Sequence, residues 1–246
     1  MAANTRWLTV FGSRPEAELR LFCLPYAGAG ANAFREWPPA FGPGVEIVAV
    51  RLPGREQRIR ERPVIDPVEV ASTIAAAADR PYAIFGHSMG ARLAFEVVRE
   101  LRRTGGPLPL RLYPSGINPP HLPTTGPFAG LSKLSDDELI AGVAKGGGVP
   151  DAVLAVPELL PLFLPVLRAD LTWVDDYVYT EGPPLPIPVV AFAGDSDPVA
   201  SPSRMDGWHD HTEAGFTLHT LPGDHFFLVD QLPRLARLIE EDLLTA

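Results

Sequence analysis

The chain has 246 residues, the size of one large domain, and its 46% hydrophobic and 21% charged residues are typical of a globular protein. A net charge of −9 at pH 7 argues against nucleic acid as a partner, because phosphate binding requires a basic surface. The single cysteine excludes an internal disulfide framework and a zinc site built from thiolates. The N-terminal segment lacks the pattern of a signal peptide, and no apolar run approaches the ~20 residues that span a bilayer, so we expect a cytoplasmic protein without a membrane contact.

Short apolar runs alternate with helical patterns along most of the chain. Nearly continuous apolar segments predict strands of the buried, parallel kind at residues 7–11, 19–24, 45–50, 82–85, 110–113, 187–193 and 216–221. Apolar residues at helical spacing predict helices at residues 67–78, 89–103, 202–211 and 232–243. This alternation implies crossover connections and a mostly parallel central sheet, which is an α/β fold.

One segment, residues 132–179, contains no convincing strand. Ser135 with the acidic residues 136–138 predicts a helix start, the glycines 146–148 with Pro150 predict its end, and a leucine-rich stretch follows at residues 156–174. We therefore expect one domain, residues 1–246, with a helical insertion at about residues 120–180 that forms a lid over the carboxyl ends of the strands. The alternative is an extra pair of packing helices with no role at the site.

The segment Gly86-His87-Ser88-Met89-Gly90 fits the pattern Gly-x-Ser-x-Gly and lies between a predicted strand and a predicted helix. A serine on such a sharp turn needs strained backbone angles, and the flanking glycines permit the close approach that the turn requires. Ser88 is therefore the predicted nucleophile, beside the positive end of the helix dipole; the alternative is a glycine-rich turn with an incidental serine. Adjacent side chains point apart here, so we interpret His87 as a packing or supporting residue.

A nucleophilic serine needs an imidazole as base and a carboxylate that orients the imidazole; in a fold of this kind the acid precedes the histidine. The predicted strand 187–193 runs into a turn that carries Asp195 and Asp197. Asp197 is the predicted acid, and Asp195 is the alternative. The last predicted strand runs into Gly223-Asp224-His225, which makes His225 the predicted base at the same edge of the sheet.

The other histidines suit other roles. His209 and His211 form an isolated His-x-His, for which a solvated helix face is favoured over a metal site because the spacing suggests no third ligand. His219 lies within a predicted strand and is interpreted as structural. His121 stands on a proline-rich loop that we expect to border the site. The sequence thus predicts no metal.

Two backbone N–H groups are the predicted donors to an oxyanion at the acyl carbon. Met89 follows the nucleophile, and Ala27 lies in the segment Pro25-Tyr26-Ala27-Gly28-Ala29-Gly30, where small residues let the backbone approach the acyl oxygen. The alternative is that these glycines only make a tight turn. Cys23 is a poor candidate nucleophile, because it lies within an apolar strand without a neighbouring base.

Five segments of the chain occur in the same order in a known family: Leu24-Pro25-Tyr26-Ala27-Gly28, Leu52-Pro53-Gly54-Arg55-Glu56, Phe85-Gly86-His87-Ser88-Met89-Gly90-Ala91, Leu167-Arg168-Ala169-Asp170 and Gly223-Asp224-His225-Phe226-Phe227. Together they resemble the stand-alone type II thioesterases of polyketide and nonribosomal peptide biosynthesis, over almost the whole chain. The resemblance implies an α/β-hydrolase fold with a mobile lid. It also implies a hydrolase that removes stalled or aberrant acyl groups from the phosphopantetheine arms of acyl or peptidyl carrier domains.

The resemblance places the catalytic triad at Ser88, Asp197 and His225 and the oxyanion hole at Ala27 and Met89. It implies no cofactor other than the phosphopantetheine that the substrate carries. The chain departs from the family at residues 114–120, where the family more often has a basic residue before Ala-Pro at the edge of the acyl pocket.

Residues 51–62 hold five arginines and two glutamates. Since carrier domains are generally acidic, this segment is a hypothetical docking surface, and the alternative is a solvated loop. Three other functions remain open on sequence alone: a serine esterase or lipase for oxygen esters, a non-catalytic relative that binds an acyl ligand, and a cyclising terminal thioesterase domain. An intact serine, acid and histidine in the expected order disfavour the second.

Overall fold

A seven-stranded sheet forms the centre of the computed structural model, which describes residues 6–148 and 157–244. The strands are β1 (Leu8–Val10), β2 (Leu19–Leu24), β3 (Val45–Val50), β4 (Tyr82–His87), β5 (Leu112–Ser115), β6 (Val189–Gly194) and β7 (Phe216–Leu221). Their order is β1-β3-β2-β4-β5-β6-β7, and only β1 is antiparallel to its neighbour. The carboxyl ends of the parallel strands therefore lie at one edge, where ligand sites of open α/β sheets form.

Helices cover both faces of this sheet. Those in the described ranges are α1 (Pro67–Ala77), α2 (Met89–Thr104), α3 (Asp136–Lys145), α4 (Leu160–Asp175), α5 (Pro202–Met205), α6 (Phe227–Asp230) and α7 (Leu232–Leu243). Successive side chains of a strand point to opposite faces. Accordingly, Phe22 and Leu24 of β2 belong to the hydrophobic cluster that includes α1 and α2, whereas Leu21 and Cys23 belong to the cluster that includes α7. None of the helices in these ranges is long and apolar enough to cross a bilayer.

The predicted strands are all present, and their ends differ from the prediction by at most two residues. The single helix predicted at residues 202–211 is wrong. Helix α5 ends at Met205, and a 3₁₀ turn, Asp206–His211, follows it. Gly207 has a low helix propensity, and in the observed turn Trp208 is fully buried and donates its indole N–H to the carbonyl oxygen of Ile117 at 3.0 Å.

In the described part of residues 132–179, the chain forms the helices α3 and α4 and no strand, as predicted. Ser135 caps the start of α3 through a capping box with Glu138, and the helix ends at Lys145 with Gly146 as its C-cap. Helix α4 packs on α3 through a small cluster of apolar side chains, namely Leu131, Leu139, Val143, Leu167 and Leu171. Pro150 and Val156, to which the sequence assigned a helix end and the start of the leucine-rich stretch, lie outside the described residues.

Candidate active site

Ser88 occupies a strained turn between β4 and α2. Its backbone has φ 53° and ψ −121°, and residues other than glycine rarely adopt a positive φ. The turn depends on the two glycines around it: a Cβ on Gly86 would collide with the carbonyl group of Gly90, and a Cβ on Gly90 would collide with the carbonyl group of Leu24. The pattern Gly-x-Ser-x-Gly is thus a steric requirement of this strand-to-helix turn.

The structure brings the three side chains that sequence reasoning selected into one hydrogen-bonded series. The Nε2 atom of His225 lies 3.1 Å from the Oγ atom of Ser88. The Nδ1 atom of the same imidazole lies 3.0 Å and 3.2 Å from the two carboxylate oxygens of Asp197. His225 and Asp197 are both buried. The three residues follow β4, β6 and β7, so the parallel strands bring them to one edge of the sheet although they are far apart in sequence.

The two aspartates on the turn after β6 have different partners. One oxygen of Asp197 also accepts hydrogen bonds from the N–H groups of Val199 at 2.7 Å and Ala200 at 3.3 Å, which fixes the carboxylate toward the imidazole. Asp195 is exposed, and it accepts a hydrogen bond from the N–H group of Gly223 at 3.0 Å. This bond, followed by one from Ser196, lowers the pKa of Asp195. Asp195 therefore joins the loop after β6 to the loop that carries His225.

His87 packs against the catalytic histidine from within the protein interior. Its side chain is fully buried, its Nδ1 atom lies 2.9 Å from the Oγ atom of Ser115, and its ring centre lies 5.0 Å from that of His225. Burial, with a further contribution from the charge of His225, lowers the pKa of His87 well below its usual value. The imidazole of His87 is therefore neutral at physiological pH, consistent with the supporting role that the sequence suggested.

A small cleft lies beside Ser88. Ser88 and His225 contribute to its lining, together with Ala27 and Met89. The rest of the wall is apolar and comes largely from the helical insertion, through Phe128, Val143, Leu167, Leu171 and Val174. Ile117, from the segment where the chain departs from the family pattern, also lines it. Such a wall favours a hydrocarbon chain, because each buried methylene contributes about 0.8 kcal/mol.

The two residues predicted to supply the oxyanion donors both line this cleft. Met89 is the first residue of α2, where a helix leaves its N–H groups without partners inside the helix. Ala27 lies on the loop after β2 and lines the cleft with Ser88. The next N–H group, that of Gly28, donates to the carboxylate of Asp170 on α4 at 2.8 Å. The loop is therefore held by a side chain from the helical insertion.

Sequence reasoning missed the buried ion pair between Asp170 and Arg55. Two guanidinium nitrogens of Arg55 donate to the two carboxylate oxygens at 2.8 Å and 2.9 Å, and both side chains are buried. A sequence signal was available, since Asp170 lies at helical spacing among Leu167, Leu171 and Val174. A carboxylate on the apolar face of a helix requires a buried partner.

The hypothesis that residues 51–62 form a docking surface is wrong for two of the five arginines, because both are buried. Arg55 is held by Asp170, and Arg58 is buried under the ring of Trp7, 3.8 Å from the ring centre, and bonded to Glu61. Counting charges along a segment does not reveal which of them the fold covers. These two guanidinium groups are structural and are not presented to a partner.

The remaining histidines do not line the cleft beside Ser88. His211 is buried and not on a solvated face, and its Nε2 atom lies 2.7 Å from the Nδ1 atom of His121. His209 is exposed, as expected, and no group of three potential metal ligands occurs among the described residues. His219 stacks on Phe192 within the sheet, in agreement with its structural interpretation. Cys23 is fully buried in β2, and burial raises the pKa of its thiol.

A mostly parallel sheet with serine, acid and histidine following β4, β6 and β7 defines the α/β-hydrolase class of enzymes. Residues 19–243 match the family model described as the thioesterase domain. The chain therefore belongs to the thioesterase domain family.

The similarity to individual proteins extends over nearly the whole chain. Linear gramicidin dehydrogenase LgrE from Brevibacillus parabrevis is 37% identical over 97% of this chain and 93% of its own length. Thioesterase PikA5 from Streptomyces venezuelae is 36% identical over 97% of this chain and 85% of its own. The structure of RedJ, a thioesterase of the prodiginine pathway in Streptomyces coelicolor, is 40% identical and matches with a TM-score of 0.82 over 92% of this chain and 86% of its own.

The first of these names refers to a dehydrogenase, whereas the family model and the other two relatives are thioesterases. Two further solved structures that match over 95% or more of this chain, BorB of the borrelidin cluster and YbtT of the yersiniabactin pathway, are described as type II thioesterases. The chain is accordingly a serine-hydrolase thioesterase of the type II group, as the resemblance in its five segments indicated.

Proposed function

We propose that this protein hydrolyses acyl thioesters on the phosphopantetheine arms of acyl and peptidyl carrier domains, in trans, and so removes stalled or aberrant acyl groups. The observation that carries the proposal is the series of Ser88, His225 and Asp197 beside an apolar cleft in a chain of the thioesterase family. Relatives from pathways of this kind support the choice of substrate, and the proposed location is the cytoplasm.

In the first half of the reaction, His225 removes the proton of Ser88, and the serine oxygen attacks the thioester carbonyl carbon. Asp197 orients the imidazole and stabilises its cationic form. The N–H groups of Met89 and Ala27 donate to the oxyanion of the tetrahedral intermediate, and each such donor lowers the barrier by about 3 kcal/mol. The intermediate collapses with release of the phosphopantetheine thiol, which takes a proton from His225.

In the second half of the reaction, His225 removes a proton from a water molecule, and the resulting hydroxide attacks the acyl-serine carbonyl. The same two N–H groups stabilise the second oxyanion. The carboxylic acid leaves, and Ser88 recovers its proton from the imidazole. Every step uses side chains, backbone and water, so the proposed mechanism requires no cofactor and no metal.

Residues at about 120–180 are the proposed lid of a single α/β-hydrolase domain spanning residues 1–246. The contribution of α3 and α4 to the apolar wall of the cleft supports this assignment. A cover of this kind excludes water from the site during acyl transfer and selects the acyl chain by the space it leaves.

The substrate class is tested by comparing kcat/KM for an acyl-pantetheine thioester and for its matched oxygen ester, followed by a panel of acyl-carrier proteins. We expect a clear preference for the thioester and for carrier-bound acyl groups. Ser88→Ala is the control, and it should lower kcat by at least about 10⁴-fold, because it removes the nucleophile. Equal efficiency on both esters would replace the proposal by a general esterase, and unchanged activity of Ser88→Ala would exclude the mechanism.

A further inference from the structure

The buried carboxylate of Asp170 connects three separate segments of the chain. It lies on α4 within the helical insertion, and it receives both guanidinium hydrogen bonds from Arg55, which follows β3. The same carboxylate accepts a hydrogen bond from the N–H group of Gly28, which is one residue after the proposed oxyanion donor Ala27. We call residues 26–30 the oxyanion loop. The insertion, the loop after β3 and the oxyanion loop thus meet at one ionised group.

Arg55 holds the oxyanion loop from its other side. Beyond its two bonds to Asp170, the guanidinium donates to the carbonyl oxygen of Ala29 at 2.6 Å. Two polar groups of the oxyanion loop, Gly28 N–H and Ala29 C=O, are therefore fixed by one ion pair. Gly28 also has φ 77°, and a Cβ there would lie 3.0 Å from the ring of Phe163 on α4. The loop and the helix are in direct contact.

Stability alone does not account for this pair. Burying two charges carries a desolvation cost that offsets much of their attraction, and replacing a buried ion pair by apolar side chains of similar volume is often neutral or stabilising. What apolar side chains cannot supply is an acceptor for Gly28 N–H and a donor for Ala29 C=O. The specific contribution of Asp170 and Arg55 is therefore the orientation of the loop backbone.

We infer that Asp170, held by Arg55, is a positioning residue that sets the direction of the Ala27 N–H group and so assembles the oxyanion hole only when α4 is seated against the loop. This inference rests on the proposed function, because it assigns a role to the oxyanion loop in that reaction. It makes the helical insertion part of the catalytic apparatus as well as a wall of the acyl cleft.

Two variants distinguish a role of the ion pair in positioning the oxyanion loop from a role in folding. Asp170→Asn keeps the volume, but it removes the charge and replaces one acceptor oxygen by an NH2 group, so it cannot keep both guanidinium hydrogen bonds together with the one from Gly28. The double variant Arg55→Met with Asp170→Leu removes both charges, so that neither is left buried without its partner, and it keeps a packed interior. We expect both folded variants to lose kcat by on the order of 10²-fold, the effect of a displacement of about 1 Å in a catalytic group. KM should change by less than about threefold.

A matched control is present on the same helix. Asp175 also accepts hydrogen bonds from a glycine N–H group, that of Gly130 at 2.9 Å, and from the Ser132 hydroxyl at 2.5 Å, but the segment that it holds carries no proposed oxyanion donor. Asp175→Asn should keep the wild-type kcat. An alkyl trifluoromethyl ketone supplies a second readout, since its adduct with Ser88 places an oxyanion in the hole and its affinity follows transition-state stabilisation. Its Ki should weaken by the same factor as kcat in the Asp170 variants.

Several results would overturn the inference. A folded double variant with wild-type kcat and Ki would show that the ion pair does not orient the donor. A change confined to KM would assign the pair to acyl binding. The double variant decides the question if Asp170→Asn does not fold. Failure of the proposed function has a different signature: the wild-type protein would not hydrolyse the thioester, or Ser88→Ala would hydrolyse it equally well.

Discussion

Asp195 and Asp197 lie two residues apart, yet the fold gives them opposite environments. Asp197 is buried, and its oxygens are occupied by two backbone N–H groups and by the imidazole of His225. Asp195 faces solvent and bonds to the backbone of the loop that precedes His225. A buried carboxylate in contact with an imidazole stabilises the imidazolium, whereas an exposed one is screened by water.

These environments predict unequal effects of the same substitution. Asp197→Asn should lower kcat by about 10⁴-fold, because the amide can neither stabilise the imidazolium nor hold the required tautomer. Asp195→Asn should lower kcat by less than about tenfold, since the amide oxygen still accepts the N–H group of Gly223. Steady-state rates with one acyl-pantetheine substrate provide the measurement. Comparable losses in the two variants would contradict the assignment of Asp197 as the acid.

At the scale of the secondary-structure elements, the turn between β4 and α2 is a sterically constrained part of the active site. Gly86 and Gly90 are needed because backbone carbonyl groups occupy the positions of their missing Cβ atoms, and a backbone cannot move away as a flexible side chain can. The strain at Ser88 is held by the sheet on one side and by the buried first turns of α2 on the other.

Gly90→Ala should therefore destabilise the fold by about 3 kcal/mol or more, because the new methyl group meets the backbone of Leu24. Gly44→Ala is the matched control, since nothing lies within 4 Å of a Cβ at that position and its φ is ordinary. Chemical denaturation of both variants measures the difference. An unfolding midpoint for Gly90→Ala equal to that of Gly44→Ala would refute the steric explanation of the motif.

The same turn explains which parts of the active site can be predicted from the sequence. Strand, Gly-x-Ser-x-Gly and helix are contiguous, so a local pattern fixes the position of Ser88, and the order of parallel strands then brings Asp197 and His225 to it. The contact between Arg55 and Asp170 joins residues 115 positions apart, and the burial of Arg58 depends on Trp7. Such contacts follow from tertiary packing, which local periodicity and charge counts do not contain.

At the scale of the whole molecule, acid stability depends on histidines that the fold keeps neutral. Burial, followed by the proximity of His121, lowers the pKa of His211 to about 4, whereas Asp210 raises it and Arg99 and His209 lower it further. A histidine whose pKa is lower in the folded state binds its proton preferentially in the unfolded chain. Its contribution to stability is complete above its usual pKa of ~6.5 and is lost as the pH falls toward 4.

We expect this single group to remove on the order of 3 kcal/mol of unfolding free energy between pH 7 and pH 4. His87, whose pKa is also lowered, adds to the loss in the same direction. Urea unfolding of His211→Gln across this range should show a shallower pH dependence than the wild type. His209→Gln is the control and should retain the wild-type dependence or steepen it, because His209 is exposed and its pKa is raised by the carbonyl of Asp206. Parallel curves for His211→Gln and the wild type would contradict the prediction.

The position of Cys23 has a practical consequence for an enzyme that liberates thiols. The sole sulfhydryl of the protein is enclosed in the central sheet and remains protonated at neutral pH. It is therefore inert toward disulfide exchange, and the liberated pantetheine cannot become covalently attached to the enzyme. For the same reason, an Ellman-type colorimetric reagent should titrate only the leaving group, so turnover can be followed continuously without background from the catalyst itself.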